Sequence, residues 1–171
     1  IVAKTWDDLK GKTLNSVGKG STPDYLLRYF LKENGLDSES DLTLDFSVNA
    51  APQFVQFAAG GKADTVLLPE PFATMAVMKS EDMQKVLDLQ ESWRDLQPSD
   101  NYPITVVVVS ADLADNHPEV VKNIMSVYRD SIEWVVSNPE EAAQLVEKHG
   151  VLPAAVAGPA IPFCNLSFTT A

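Results

Sequence analysis

The sequence predicts an α/β fold with a mainly parallel central sheet, and three observations support that prediction. Short β-type segments alternate with helical segments over roughly the first hundred residues. Several helical segments begin directly after a β-type segment, as the crossover connections of a parallel sheet require. The run 104–110, ITVVVVS, is rich in β-branched residues, which is typical of a central strand buried on both faces. After this run the sequence predicts only helices.

The clearest strand–helix unit lies between Thr13 and Gly35. A strand near 11–17 leads into a turn with two glycines, which allow the backbone to bend sharply and approach a ligand closely. The following helix is expected over 23–34, has one apolar face and ends at Gly35. That face consists of Leu26, Leu27, Phe30 and Leu31.

The start of this helix is a candidate anion site. Ser21 or Thr22 is expected to be the N-cap, and Pro23 suits the first turn because its missing N–H is not needed there. Backbone N–H groups and the positive end of the helix dipole then converge on the turn without a basic residue. An ordinary strand–helix turn with a good cap explains the same residues, so both interpretations stay open.

Further strands and helices are expected between this unit and residue 104. The strands are placed at 42–48, 63–68 and 84–89, and the helices at 50–59 and 71–79. Asn49 is expected to cap the first of these helices, and Pro71 is expected to open the second. The polar segment 95–103 contains two prolines and is expected to be a loop.

Beyond the run 104–110, helices are predicted over 118–137 and 139–149, with one more turn at 152–157 that ends at Gly158-Pro159. The longest helix has an apolar face formed by Val120, Val121, Ile124, Val127, Tyr128, Ile132 and Val135. Monomeric proteins rarely leave an apolar face of this size exposed to solvent, so other apolar surface should pack against it. We therefore expect these helices to fold back over the chain's own sheet or to pair with a second copy in a homodimer.

Composition excludes several classes of function. The net charge of −11 leaves no basic face for non-specific binding of nucleic acid or an anionic membrane. The single cysteine excludes an intramolecular disulfide, and the two isolated histidines offer no Cys–His metal cage, so no metal and no cofactor are expected. The longest apolar run, 104–109, is too short to span a membrane.

The sequence offers no catalytic constellation. Ser16, Ser21 and Ser110 lack the Gly-x-Ser-x-Gly setting of a nucleophile, and neither histidine is placed to act as its base. The turn VGKGSTPD lacks the Gly-Lys-Ser/Thr ending of a phosphate-binding loop. We therefore expect a binding protein rather than an enzyme. Ligands of parallel sheets bind beyond the carboxyl ends of the strands, which here means 18–22, 48–51 and 69–72.

Three segments resemble the solute-binding proteins of ABC importers, of the nitrate/sulfonate/taurine and thiamine-precursor type. They are DLKGKTLNSVGKGSTPDYLLRYFLKENGL, FAAGGKADTVLLPEPFA and NHPEVVKNIMSVYRDSIEWVVSNPEEAAQLV. The resemblance covers roughly 6–150 and implies a type II periplasmic-binding-protein fold, whose two α/β lobes close over a solute. By resemblance, 1–103 is a second lobe built as a three-layer sandwich around the sheet. Residues 104–171 then form a return hinge strand and helices of an incomplete first lobe.

The resemblance also implies a function and a site. It implies the substrate-binding component of an ABC transporter, which captures a small polar solute outside the cytoplasm and delivers it to the membrane permease subunits. The chain begins at Ile1 without a Met, and we expect that both of its ends have been cut. The resemblance implies a periplasmic protein or a surface lipoprotein, attached at the membrane through a leader or anchor that this sequence lacks. The implied ligand contacts are Gly20, Ser21, Thr22, Asn49 and Glu70.

Two side chains of the implied site have open roles. Lys19 departs from the family pattern, and it either pairs with an acidic solute or points to water. Glu70 suits a solute with an amine or ring N–H donor, or else it only caps a helix or faces solvent. The effector-sensing domain of a LysR-type transcription regulator has the same two-lobed fold and is the alternative. The helices beginning NHPEVV and NPEEAA favour the transporter family.

Overall fold

The computed structural model describes residues 3–48, 50–99, 101–102 and 104–170. It divides into two compact units, Ile1–Tyr102 and Pro103–Ala171, which we call unit 1 and unit 2. Among the described residues, no helix combines the length and the apolar character needed to cross a bilayer.

Unit 1 is an α/β unit built on a parallel sheet, which confirms the predicted fold class. Its strands are β1 (Thr13–Ser16), β2 (Thr43–Asp45) and β3 (Val66–Leu67), and its helices are α1 (Thr22–Glu33), α2 (Ala51–Ala59), α3 (Phe72–Lys79) and α4 (Leu89–Leu96). The strand order is β2-β1-β3, and both neighbours run parallel to β1. A short 3-10 turn at Asp7–Leu9 precedes the sheet.

The core of unit 1 covers both sides of the central strand. Leu14 on β1 belongs to one cluster with Leu27 and Leu31 of α1, and Phe54 of α2 forms a second cluster with Val17. Three side chains of the predicted α1 face are almost fully buried, whereas Leu26 is half-buried. Each buried Leu or Phe of this kind stabilises the fold by about 1.5–3 kcal/mol.

Two predictions for the end of unit 1 are corrected by the structure. The strand expected over 84–89 is absent from the described residues, because Asp88 starts α4 instead. Its carboxylate Oδ1 accepts the N–H of Gln90 at 2.7 Å, which satisfies a first-turn donor of that helix. The loop expected from residue 95 begins only after Leu96, where α4 ends.

The regular elements in the described part of unit 2 are all helical. It contains α5 (Ala111–Asn116), α6 (Pro118–Ser137), α7 (Pro139–Lys148) and α8 (Ala154–Ala160), followed by a 3-10 turn at Ile161–Phe163. Helices α6 and α7 were predicted, whereas the short α5 was not. Pro159 was expected to end a helical turn but lies inside α8. It lies in the last turn of a seven-residue helix, so its missing N–H costs at most one helical hydrogen bond.

The run 104–110 is not a strand among the described residues, so that prediction was wrong. No strand in the described chain pairs with it, and Ile104, Val106 and Val108 are 64%, 79% and 82% exposed. β-Branched residues favour a pleated, half-buried surface rather than an extended backbone in isolation. Without a neighbouring strand, composition alone does not form a ladder.

Unit 2 has little apolar core of its own. Among the residues of unit 2 that the structure describes, the buried apolar side chains are all alanines, namely Ala142, Ala143, Ala157 and Ala160, and none of them lies on α6. Among the described residues, four exposed large hydrophobic side chains lie in unit 1 and fifteen lie in unit 2. Most of the predicted apolar face of α6 is therefore half-exposed or exposed.

Candidate functional site

Parallel register brings the predicted site segments to one edge of the sheet. Asn15 of β1 lies opposite Asp45 of β2, and Ser16 of β1 lies opposite Leu67 of β3. The three strands therefore end at the same edge, which we call the carboxyl edge. The turn 18–22 leaves the central strand, so it lies between the segments that follow β2 and β3. This is where ligands bind in open parallel sheets.

The turn between β1 and α1 is closed by Gly18 and Ser21. Gly18 has φ of +74°, and the N–H of Ser21 donates to its carbonyl at 3.0 Å. The Ser21 hydroxyl also donates to this carbonyl. A Cβ at position 18 would lie 2.5 Å from the Ser21 Oγ, so only glycine fits here without a shift. Ser21 is the N-cap residue, but its side chain makes no capping hydrogen bond.

Asp24 holds the tip of the turn. Its side chain is 5% exposed, and Oδ2 accepts the N–H of Gly20 at 2.8 Å. Oδ1 accepts from Nε of Arg28, also at 2.8 Å, and Nη1 of Arg28 reaches Glu39 at 2.6 Å. These hydrogen bonds, the one to Glu39 most strongly and then the one to Asp24, raise the pKa of Arg28 above its ordinary value. The turn is therefore tied to α1 by a charged network.

Gly20 remains the most open point of the turn. Its φ is +76°, and a Cβ at this position would meet no atom within 4 Å. The backbone here is accessible, although its N–H already donates to Asp24. The expected anion site therefore has one donor fewer than the sequence suggests. The N–H of Thr22 belongs to the first turn of α1, which no helix satisfies internally.

Lys19 lies towards the neighbouring segment after β2. Its Nζ is 5.9 Å from the centroid of the Phe46 ring, within the range of a cation–π contact. This contact joins the turn after β1 to the segment after β2. Asn49, the predicted ligand contact of that segment, lies outside the described residues.

Glu70 follows β3 and has two partners in its own unit. Its side chain is 11% exposed; Oε1 pairs with Nζ of Lys85 at 2.5 Å, and Oε2 accepts the N–H of Thr74 at 3.1 Å. Nζ of Lys85 also donates to Oγ1 of Thr74 at 2.8 Å. The carboxylate thus occupies the first turn of α3, where a negative charge is favourable. Glu70 therefore has the helix-capping role that the sequence left open, because its carboxylate accepts an N–H of the first turn of α3.

Thr22 also borders an open groove of about 410 Å³ that is lined by residues of α1 and of the end of α4. The rest of the lining is mainly aromatic: Tyr25, Leu26, Tyr29, Trp93 and Gln97. The Gln97 amide donates to the Tyr29 hydroxyl at 2.6 Å. Next to Trp93, burial and then the nearby charge of Asp88 raise the pKa of Tyr102.

Sequence reasoning missed three residues that shape the carboxyl edge: Asp24, Lys85 and Phe46. Asp24 and Arg28 are four residues apart on a helix, a spacing at which opposite charges meet, so that pair was detectable. Lys85 reaches Glu70 from fifteen residues away and has no such signal. Within the described part of the chain, no three His, Cys, Asp or Glu side chains are grouped to hold a metal ion.

Comparison with known proteins places the chain in a family. The model of the NMT1-like family matches residues 1–149. The nitrate/nitrite binding protein NrtA of Synechococcus elongatus is 27% identical over 128 residues, which are 74% of this chain and 27% of that protein.

Two solved structures share the fold across almost the whole chain. An ABC transporter structure from Parabacteroides distasonis has a TM-score of 0.71 at 24% identity. The match covers 94% of this chain and 54% of the Parabacteroides chain. The periplasmic aliphatic sulphonate binding protein SsuA from Escherichia coli has a TM-score of 0.72 at 22% identity. The match covers 94% of this chain and 50% of the SsuA chain. The chain thus spans about a quarter of the curated relative and about half of each solved structure. Because the family model matches most of its length, the chain belongs to the NMT1-like family.

Proposed function

We propose that this chain is part of the substrate-binding component of an ABC transporter and that unit 1 supplies one side of the solute site. The family match over residues 1–149 is the observation that carries this proposal. The relative named for nitrate and nitrite binding and the fold neighbour named for sulphonate binding support it. The solute classes we propose are nitrate, a sulfonate or a thiamine-precursor-like compound.

The proposal extends to partners and location. A solute-binding component delivers its solute to the permease subunits of the transporter, so those subunits are the proposed protein partners. Delivery to an importer takes place outside the cytoplasm, and the periplasmic description of SsuA supports that location. Peripheral attachment to the membrane would come from a leader or lipid anchor outside this sequence. The comparisons give no support to the LysR-type alternative.

Residues of the carboxyl edge have different proposed roles. Gly20 leaves open space that allows a solute to approach the backbone. Thr22 offers a first-turn N–H and a half-buried hydroxyl, each worth about 0.5–1.5 kcal/mol as a neutral hydrogen bond. The Ser21 hydroxyl donates to Gly18 and keeps its lone pairs for a donor on the solute. Asn49 is the proposed contact from the segment after β2.

Charge at this edge is largely compensated within the protein. The carboxylate of Asp24 faces Arg28, and that of Glu70 faces Lys85. Neither carboxylate is therefore an isolated charge that repels an anion, and neither is free to bind a cation without breaking an ion pair. We propose that this edge binds a polar solute through neutral hydrogen bonds, as a binding protein rather than an enzyme.

The test is a binding measurement with a matched pair of glycine variants. Gly20 and Gly35 both have φ near +75° and open space around a Cβ, but Gly35 lies at the opposite end of α1. Gly20→Ala and Gly35→Ala therefore carry the same backbone strain, and only the first fills the proposed site. Isothermal titration calorimetry with nitrate, an alkanesulfonate and an aminopyrimidine should detect a ligand whose binding Gly20→Ala weakens several-fold. Equal loss in both variants, or chemical conversion of the bound compound, would contradict the proposal.

A further inference from the structure

The turn between β1 and α1 has few backbone N–H groups left for a solute. The N–H of Gly20 donates to Oδ2 of Asp24 at 2.8 Å, and that of Ser21 donates to a carbonyl within the turn at 3.0 Å. Pro23 has no N–H, and the whole residue Asp24 is only 4% exposed. Along this stretch of the described backbone, the N–H of Thr22 is therefore the one that stays open to a solute.

The same turn has acceptor groups that the protein leaves open. The carbonyls of Lys19 and Gly20 accept no hydrogen bond from any residue that the structure describes, and both residues are exposed. The Ser21 hydroxyl donates to the Gly18 carbonyl, so its own lone pairs remain available. The turn thus offers three open acceptor groups against one open backbone N–H.

An oxyanion has only acceptor atoms, so it needs several donors that converge on one point. Helix N-termini bind anions because the N–H groups of the first turn supply those donors. In this turn the carboxylate of Asp24 already takes the place of such an anion, since it accepts the Gly20 N–H. A second negative group at this point would find only the N–H and the hydroxyl of Thr22.

Lys19 is the cation that an oxyanion would use instead. The two other cations of the carboxyl edge, Arg28 and Lys85, are ion-paired with carboxylates of the protein. Lys19 is exposed, and its Nζ lies 5.9 Å from the centroid of the Phe46 ring. A solute that donates hydrogen bonds to the turn does not need this charge, whereas an oxyanion does.

We propose that the β1–α1 turn holds a hydrogen-bond-donating group of its solute, such as an amine, an amide or a ring N–H, and does not hold an oxyanion. The inference rests on the proposed function, because it concerns the same solute site. It narrows the solute class to compounds with at least one N–H group, which nitrate and simple alkanesulfonates lack. A sulfonate that also carries an amine stays within the class, because its amine meets the turn.

Matched pairs of probes test this preference in amide-shift titrations of the ¹⁵N-labelled chain. An aminopyrimidine is compared with pyrimidine, and an aminoalkanesulfonate with the alkanesulfonate of equal length; nitrate serves as the bare oxyanion. We expect the amine-bearing member of each pair to bind at the amides of Gly20, Ser21 and Thr22 about twofold to tenfold tighter than its partner, the range of one neutral hydrogen bond. Nitrate should give no saturable shift at these amides.

Variants of two side chains identify the groups responsible. Ser21→Ala removes an acceptor and should reduce the preference within each pair, whereas Ser21→Thr keeps the hydroxyl and should retain it. Lys19→Met should leave the binding of the amine-bearing probes unchanged. A preference that Ser21→Ala leaves intact would overturn the assigned acceptor.

The outcomes separate this inference from the proposed function. Nitrate or an alkanesulfonate that binds at the turn as tightly as the amine-bearing probes, or that loses its binding there in Lys19→Met, would overturn the inference and leave the solute site in place. The absence of a saturable shift at the turn with every probe would overturn both the inference and the proposed site.

Discussion

Replacing Asp24 with asparagine perturbs the network that ties the β1–α1 turn to its helix. The carboxylate accepts the Gly20 N–H and the Arg28 Nε, each at 2.8 Å, and it is 5% exposed. Asparagine has nearly the same shape and keeps one acceptor oxygen, but it loses the negative charge. The substitution therefore leaves the partly buried Arg28 with Glu39 as its charged partner and with the Ser38 hydroxyl, which accepts from Nη1 of Arg28 at 3.0 Å.

Burial and the number of partners set the expected magnitude. A hydrogen bond to a charged group contributes about 1.5–3 kcal/mol to stability. Asparagine retains about half of these contacts in weaker form, so we expect Asp24→Asn to lower the free energy of unfolding by about 2 kcal/mol. Asp24→Ala removes both acceptor oxygens and leaves Arg28 more poorly paired, so we expect it to lower the free energy of unfolding by about 3–4 kcal/mol. Glu39→Gln is the matched control, because its carboxylate is 77% exposed on the same arginine. An exposed pair of this kind contributes less than about 1 kcal/mol.

Urea unfolding measures these differences in the free energy of unfolding. Trp6 and Trp93 report on unit 1, and replacing Trp134 with phenylalanine removes the fluorescence of unit 2. Glu39→Gln should lower the urea midpoint least, Asp24→Asn more and Asp24→Ala most, while the denaturant slope stays unchanged. If Asp24→Asn is no more destabilising than Glu39→Gln, the buried carboxylate does not hold the turn and the reasoning is refuted.

Three further predictions concern unit 1. Lys85→Met leaves the Glu70 carboxylate, 11% exposed, without its cation, so the midpoint of urea unfolding should fall; an unchanged midpoint would contradict the importance of this ion pair. Leu31→Ala removes a fully buried side chain and should cost about 2–5 kcal/mol, more than the same change at the half-buried Leu26; equal costs would contradict the assigned core. In a difference titration against Tyr102→Phe, the Tyr102 phenol should ionise above 10.0 because burial and then Asp88 raise its pKa. The unfolded chain ionises first, so Tyr102 should lower the stability of the fold as pH rises from 10.0 through that higher pKa, and a midpoint at or below 10.0 would be inconsistent.

Local signals in the sequence predict much of unit 1. The N-cap position at Ser21, the proline in the first turn and the glycine at 35 place α1 almost to the residue, because helix ends depend on neighbouring residues. The order of strands and helices similarly predicts a parallel sheet, since crossover units pair only that way. The carboxyl edge follows from this topology, and the predicted segments after β1 and β3 lie there.

Contacts between residues distant in sequence decide the secondary structure and the side-chain roles that local patterns do not determine. The run 104–110 has the composition of a central strand, but a ladder needs a neighbour, and none exists among the described residues. The segment 84–89 alternates weakly like a strand, but the Asp88 cap turns its end into α4. The structural role of Glu70 depends on Lys85, whose position only the folded chain defines. The Asp24–Arg28 pair has the four-residue spacing of a helical ion pair, but no sequence pattern shows that the Asp24 carboxylate also accepts the Gly20 N–H.

We propose that a small polar solute binds at the carboxyl edge of the β2-β1-β3 sheet. Amide chemical-shift mapping of the ¹⁵N-labelled chain tests it directly, with nitrate, an alkanesulfonate and an aminopyrimidine added in turn. We expect saturable shifts at Gly20, Ser21 and Thr22 and next to Glu70 for one of these compounds, with no comparable change at Gly35. Shifts confined to unit 2 or to the groove beside Trp93, or no saturable shift with any of the three, would contradict it.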